Sequence, residues 1–147
     1  MDRTEIAAMN TSMTGRVLAM PPAPVVDGGY ALRVLRTRGR RSGEDRDTPI
    51  GLVGHDGAQY VVSPVGDRDW VRNLRAAPGC AVRSSAGDEP RRAVEPGRDE
   101  AAAAVVGYLR ALDVPWALQA FPVPADAGPE QVAEHLDTIA VFRLDPA

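Results

Sequence analysis

The chain has 147 residues, 44% hydrophobic and 25% charged, which fits one soluble globular domain with a sizeable core. Its formal net charge of −3 speaks against a general nucleic-acid binder, and no run is long and apolar enough to cross a bilayer. Cys80 is the only cysteine, which excludes an intrachain disulfide; His55 and His135 have no partner at ligand spacing, so no metal is expected.

Residues 1–25 read as an N-terminal arm that is mobile, closes over a ligand, or is disordered. Within it, Ile6, Met9, Met13, Val17 and Leu18 would form the apolar side of a short helix, and Pro21, Pro22 and Pro24 then impose an extended break. Asp2 and Glu5, with no basic stretch ahead of a long apolar run, argue against a secretory leader, so a cytoplasmic location is expected.

From residue 26 to 147 the pattern is that of a single folded domain. Ala31–Thr37 carries Leu32, Val34 and Leu35 and reads as a strand. Thr48–Gly54 and Gln59–Ser63 read as a hairpin, because Asp56-Gly57 between them suits a tight turn. Asp67 is placed to cap a helix bearing Trp70, Val71 and Leu74, which Pro78-Gly79 ends. Gly79–Ser84 and Arg91–Glu95 predict a second hairpin across Ala86–Pro90. Arg98–Leu112 predicts a longer helix, with Val105, Leu109 and Leu112 at helical spacing. Trp116 and Phe121 fall in a loop expected to turn its aromatics inward. Gln131–Leu136 suits a helical turn, and Thr138–Leu144 a closing, buried strand. Alternating βαβ units are missing, so a small antiparallel barrel with helices on its outside fits best.

The densest chemistry lies in Thr37–Pro49, between the first two strands. Arg33, Arg36, Arg38, Arg40, Arg41 and Arg46 crowd this region, and lysine is absent from the whole chain. Gly39 and Gly43 let the backbone bring N–H groups close to an anion, and guanidinium forks hold phosphate or carboxylate oxygens in pairs. A focused basic patch on a mildly acidic protein suits a small polyanionic ligand. The same residues also admit plainer readings: Ser42 and Thr48 as turn hydroxyls, Trp70 as a core anchor, Asn73 as a bridge to backbone.

Gly39-Arg40-Arg41-Ser42-Gly43 with Arg46, Thr48 and Pro49, followed by Trp70, Asn73, Leu74, Arg75, Ala76 and Pro78, resembles the deazaflavin-dependent nitroreductase family. The two motifs, with a hairpin between them, cover roughly residues 30–95. The resemblance implies an α+β, mainly β fold: a split antiparallel β-barrel with flanking helices, of the FMN-binding flavin-reductase type, usually a homodimer. It implies coenzyme F420, an 8-hydroxy-5-deazaflavin with a phosphate and an oligoglutamate tail. The implied reaction is hydride transfer from reduced F420 to a quinone, nitroaromatic or enone.

Carried over by position, Arg40, Arg41, Ser42 and Gly43 would hold the phosphate or tail, with Arg46 adding charge. Thr48, Pro49 and Ile50 would lie along the deazaflavin edge, and Ser63, Pro64 and Val65 would pass backbone groups near the ring. Trp70 and Asn73 would close the ribityl–phosphate side. Pro64 removes a backbone donor from that stretch. Tyr108 and Phe121 are candidates for the substrate side as nearby aromatics. No catalytic His/Asp/Ser set stands out, as expected where the cofactor carries the chemistry. Three alternatives stay open: a non-catalytic F420 carrier, an FMN-dependent reductase on the same fold, and a membrane-associated quinone reductase, the last disfavoured by the acidic residues of the arm.

Overall fold

In a computed structural model, which describes residues 2–147, six strands close into an antiparallel barrel and helices cover its outside and one end. The strands are β1 (Tyr30–Arg38), β2 (Asp45–His55), β3 (Ala58–Ser63), β4 (Gly79–Ser84), β5 (Gly87–Val94) and β6 (Ala140–Pro146). Around the barrel they run β1-β2-β3-β6-β5-β4, and β1 pairs back onto β4 through Leu35↔Val82. Closure removes the unpaired edges that a short open sheet would expose.

Strand alternation builds two cores at once. Val61 of β3 points into the barrel beside Leu35, Leu52, Phe142 and Leu144. Its neighbours Tyr60 and Val62 point outward, against the helix α3 (Arg98–Ala111). Alanines at 101, 102 and 104 let that helix lie close to the sheet, while Val105 and Leu109 fill the seam. The turn between β2 and β3 has φ of 51° at Asp56 and 78° at Gly57, the doubly positive geometry that Asp-Gly tolerates.

The amphipathic helix α2 (Asp69–Ala76) plugs the barrel with Trp70, Val71 and Leu74, all buried. Trp70 packs on Phe142 at 6.2 Å between ring centroids, and the Arg75 guanidinium sits 6.0 Å from the other ring's centroid. Truncating Leu74 to alanine would leave a cavity costing about 2–5 kcal/mol. Because α2 is fixed by this packing, whatever its polar face holds is fixed with it.

Three expectations need correction. The N-cap of α2 is Arg68, which makes no side-chain cap bond, so Asp67 does not cap the helix. The β4–β5 turn is shorter than read, since Ser84 pairs directly with Gly87 and Pro90 lies inside β5. Pro90 is tolerated there because it lies at the end of the β5–β6 ladder, where its carbonyl accepts from the Ala147 N–H at 3.4 Å and its missing N–H costs at most the last bond. Trp116, in the short helix α4 (Pro115–Leu118), is 77% exposed rather than turned inward, whereas Phe121 is buried. A further short helix, α5 (Pro129–Ala133), packs on α3.

In the N-terminal arm, residues 3–19 form one helix, α1 (Arg3–Ala19). Asp2 and Glu5 make a reciprocal capping box, and Arg16 lies in the last turn, where the helix dipole favours it. The helix lies along β2 and also touches β1 and β4. Only Val17 is buried; Ile6, Met9 and Met13 stay 46%, 57% and 43% exposed. Met1 lies outside the described residues. No helix of the described residues is long and apolar enough to cross a membrane.

Candidate functional site

The β1–β2 turn, α2 and α1 enclose a polar cavity of about 640 Å³. The turn is tied internally: the Gly39 N–H donates to the Glu44 carbonyl at 2.7 Å, and the Gly43 N–H to the Gly39 carbonyl at 2.8 Å. Gly43 has φ of 72°, the left-handed value that closes the loop. The backbone N–H groups of Arg41 and Ser42 have no acceptor among the described residues. The Ser42 hydroxyl accepts from the Glu44 N–H at 3.1 Å and from Arg46 at 3.5 Å, which leaves its own O–H to donate.

The arginines of this turn do different work. Arg41 lines the cavity, is exposed, and has no acidic partner among the described residues. Arg46 also lines it, with Glu44 at a loose 3.7 Å. Arg40 is largely committed: its guanidinium reaches Asp69 at 3.2 Å and Asn73 Oδ1 at 2.9 Å, and its backbone N–H donates to the same Asn73 oxygen at 3.2 Å. Asn73 Nδ2 donates to the Thr37 hydroxyl at 3.2 Å, and both residues are buried. Asn73 therefore bridges α2, β1 and the turn, and spends its amide on the protein.

The floor of the cavity is not uniformly basic. Asp47 lines it, gripped by the Arg36 fork at 2.8 and 2.9 Å and by Arg83 at 2.6 Å. Burial pushes the Asp47 carboxyl up, but the Arg36 and Arg83 contacts outweigh it and hold the group below the usual aspartate range. Arg36 and Arg83 are thus consumed in holding the strands together. Asp45 and Asp69 line the cavity as well, and the least committed cations facing them are Arg41, Arg46 and Arg3, whose guanidinium lies 3.9 Å from Asp69.

A second cavity, of about 690 Å³, adjoins the first; Asn10, Thr48, Asp69 and Trp70 line both. This one is mainly apolar. Pro49, Ile50 and Val62 form its barrel wall, with Ser63 and Pro64 beside them. Leu112, Phe121 and the exposed Trp116 form the opposite wall, and Ile6 and Met9 of α1 lie at its edge. The Ser63 hydroxyl is turned onto the Val65 carbonyl at 2.5 Å, away from any ligand role of its own.

The sequence-predicted positions divide accordingly. Arg40, Arg41, Ser42, Arg46 and Asn73 line the polar cavity; Pro49, Ile50, Ser63 and Pro64 line the apolar one; Thr48 and Trp70 stand at the junction. Gly43 and Val65 line neither, Gly43 serving the turn and Val65 facing outward at 36% exposure. Tyr108 and Phe121, singled out as nearby aromatics, do line the apolar cavity. Sequence reasoning missed Tyr30, Asn10 and Thr14. The Thr14 hydroxyl oxygen is buried without a partner in the wall of the polar cavity. Cys80 lies elsewhere, and burial pushes its thiol up to about 11 against the nearby Arg91, which makes it a poor nucleophile. Among the described residues no cluster of metal-binding side chains occurs.

The chain matches the protein family described as F420H(2)-dependent quinone reductase over residues 8–113. Among solved structures it is similar to a protein described as a domain-swapped dimer, at 21% identity over 97% of this chain and 94% of that one, with a TM-score of 0.54. It is also similar to a heme binding protein from Mycobacterium smegmatis, at 18% identity over 93% of this chain and 50% of that one, with a TM-score of 0.55. A structure described as an F420-H2 dependent reductase is similar at 24% identity over 84% of this chain and 99% of that one, with a TM-score of 0.49. The likeness in fold rests on the first two, and the fold is the split barrel of flavin-reductase type. No curated protein matches the chain.

Proposed function

The chain belongs to the F420H(2)-dependent quinone reductase family and is an F420H2-dependent reductase, and from that premise we propose how its two cavities divide the work. The polar cavity takes the phosphate and oligoglutamate tail of F420, the junction at Thr48 and Trp70 takes the ring edge, and the apolar cavity takes the electron-poor acceptor. The observation that carries this reading is the adjacency of the two: an arginine-lined chamber opens onto an apolar one, as a flat aromatic head with an anionic tail requires. Each is within the size range of ordinary ligand pockets.

The residues present fit the cofactor. The uncommitted Arg41 fork, the unpaired N–H groups of Arg41 and Ser42, and the orphaned Thr14 hydroxyl are donors that lack acceptors among the described residues. Arg40 and Asn73 position the turn rather than grip the ligand with their free ends. Trp70, buried against Phe142, gives the junction a rigid wall. Pro49 and Ile50 present carbon to the ring's edge. When bound in reduced form, F420 supplies the hydride; the protein supplies orientation and an enclosure that limits water. A quinone is the acceptor we favour, with nitroaromatics and enones as further acceptors of the same chemical type. Val65 and Gly43 are dropped as direct contacts in this reading. Assembly as a homodimer belongs to it as well and is tested by light scattering.

The test is turnover with chemically reduced F420 and menadione, followed by the return of oxidised deazaflavin absorbance. Enzyme-dependent return supports the reading. F420 binding with no turnover would leave a carrier, and protein that purifies yellow and releases FMN on denaturation would leave an FMN-dependent reductase.

A further inference from the structure

Two tyrosines, Tyr30 and Tyr108, line the apolar cavity. Tyr30 opens β1, and its ring lies across Gly51 of β2, where an added Cβ would fall within the ring itself. The missing side chain at Gly51 is thus the seat of Tyr30. The ring meets Tyr108 edge-on at 6.0 Å, and Tyr108 in turn packs on Phe121 at 5.7 Å, so both phenols are held by aromatic contacts. Neither hydroxyl has a hydrogen-bond partner among the described residues, and both residues line the cavity. Tyr30 also lines a smaller apolar cavity of about 300 Å³ beneath α1, so its ring partitions the two.

Resting on the acceptor assignment made above, we propose that Tyr30 is a binding and specificity residue: its hydroxyl donates a hydrogen bond to a carbonyl oxygen of a flat quinone, and its ring, seated on Gly51, sets the width of the acceptor cavity. Tyr108 supplies the neighbouring donor. Burial raises the pKa of both phenols, Tyr108 to about 12, where Tyr30 adds to the rise and Arg68 opposes it. Both are therefore neutral O–H donors at physiological pH. Reduction of a quinone to its hydroquinone takes one hydride and one proton; the hydride is what bound reduced F420 supplies, and the proton comes from water. Tyr30 keeps its own proton and serves by polarising the carbonyl.

The experiment measures menadione binding to the cofactor-free protein by quenching of tryptophan fluorescence, in wild type, Tyr30→Phe and Gly51→Ala. 2-Methylnaphthalene, the same ring system without carbonyls, is the control. Tyr30→Phe should weaken menadione binding about three- to tenfold and leave 2-methylnaphthalene unchanged. Gly51→Ala, which displaces the ring but keeps the hydroxyl, should weaken both ligands. F420 affinity should not change in Tyr30→Phe. Equal menadione binding in wild type and Tyr30→Phe, a parallel loss of both ligands in that variant, or no menadione binding to wild type would overturn the proposal. Failure of wild type to bind F420 would instead strike the cofactor assignment, and the menadione comparison would still read out separately.

Discussion

Asn73 holds Arg40 twice: its side-chain oxygen accepts the Arg40 backbone N–H at 3.2 Å and the Arg40 guanidinium at 2.9 Å. One buried amide on α2 thereby fixes both the main chain and the side chain of a turn that is otherwise exposed. The rigidity of the barrel plug passes to the anion cradle through these bonds and through the Arg40–Asp69 pair beside them.

Asn73→Ala should accordingly separate two effects. It leaves the buried Thr37 hydroxyl and the Arg40 N–H without partners, so stability should fall by about 1–3 kcal/mol in a denaturant titration. F420 affinity, measured at a temperature where the variant stays folded, should fall as well, because the loosened turn must be ordered on binding. Unchanged affinity would mean that the turn is held by its own internal bonds and the Arg40–Asp69 pair without Asn73.

Thr14→Val tests whether α1 belongs to the site. The valine is close in size and removes a buried hydroxyl that has no partner among the described residues, so the melting temperature should hold or rise. If the hydroxyl serves the bound tail, F420 should bind a few-fold more weakly. A variant with both stability and affinity intact would take α1 out of the cradle.

The barrel and most of its elements were legible because their signals are local. Asp56-Gly57 announced the β2–β3 hairpin, and α3 follows from alanines and apolar spacing across Arg98–Ala111. Pro90 misled, since proline reads as a turn unless one knows that it lies at the end of a ladder. Trp116 misled through its size, which argues for burial but also suits the mouth of a cavity. In the site, the cradle was visible as motif, yet which arginine stays uncommitted was not. That depends on cross-strand register, which sets Arg36 opposite Asp47 and brings Asn73 to Arg40. Tyr30 was invisible for the same reason, its place being defined by a glycine 21 positions away on the neighbouring strand.

Acid stability should depend on Asp47. Its folded pKa lies below the usual 3.8, so the stabilisation it gives is complete above that value and fades as pH falls through the lower, folded one. Asp47→Asn should cost about 1–2 kcal/mol near neutral pH, having left Arg36 and Arg83 facing each other across an uncharged group. The difference from wild type should shrink as pH falls below the ordinary aspartate range. A constant difference across the acid range would assign the loss to packing instead of charge.

Trp116→Ala addresses the mouth of the apolar cavity. With 77% of its surface exposed, Trp116 contributes little to the core, and the melting temperature should change by no more than a degree or two. KM for menadione should rise while F420 affinity stays level. A large loss of stability would show that Trp116 supports the fold.

Arg41 is the cavity's uncommitted fork, and the account stands most directly on it. Titrating F420 fluorescence with wild type and with Arg41→Ala, each at low and high salt, compares the cradle with and without that charge. The prediction is at least about tenfold weaker binding by the variant at low salt, a flatter dependence on ionic strength than wild type, and an unchanged melting temperature. Equal affinities and equal salt slopes for the two proteins would contradict it.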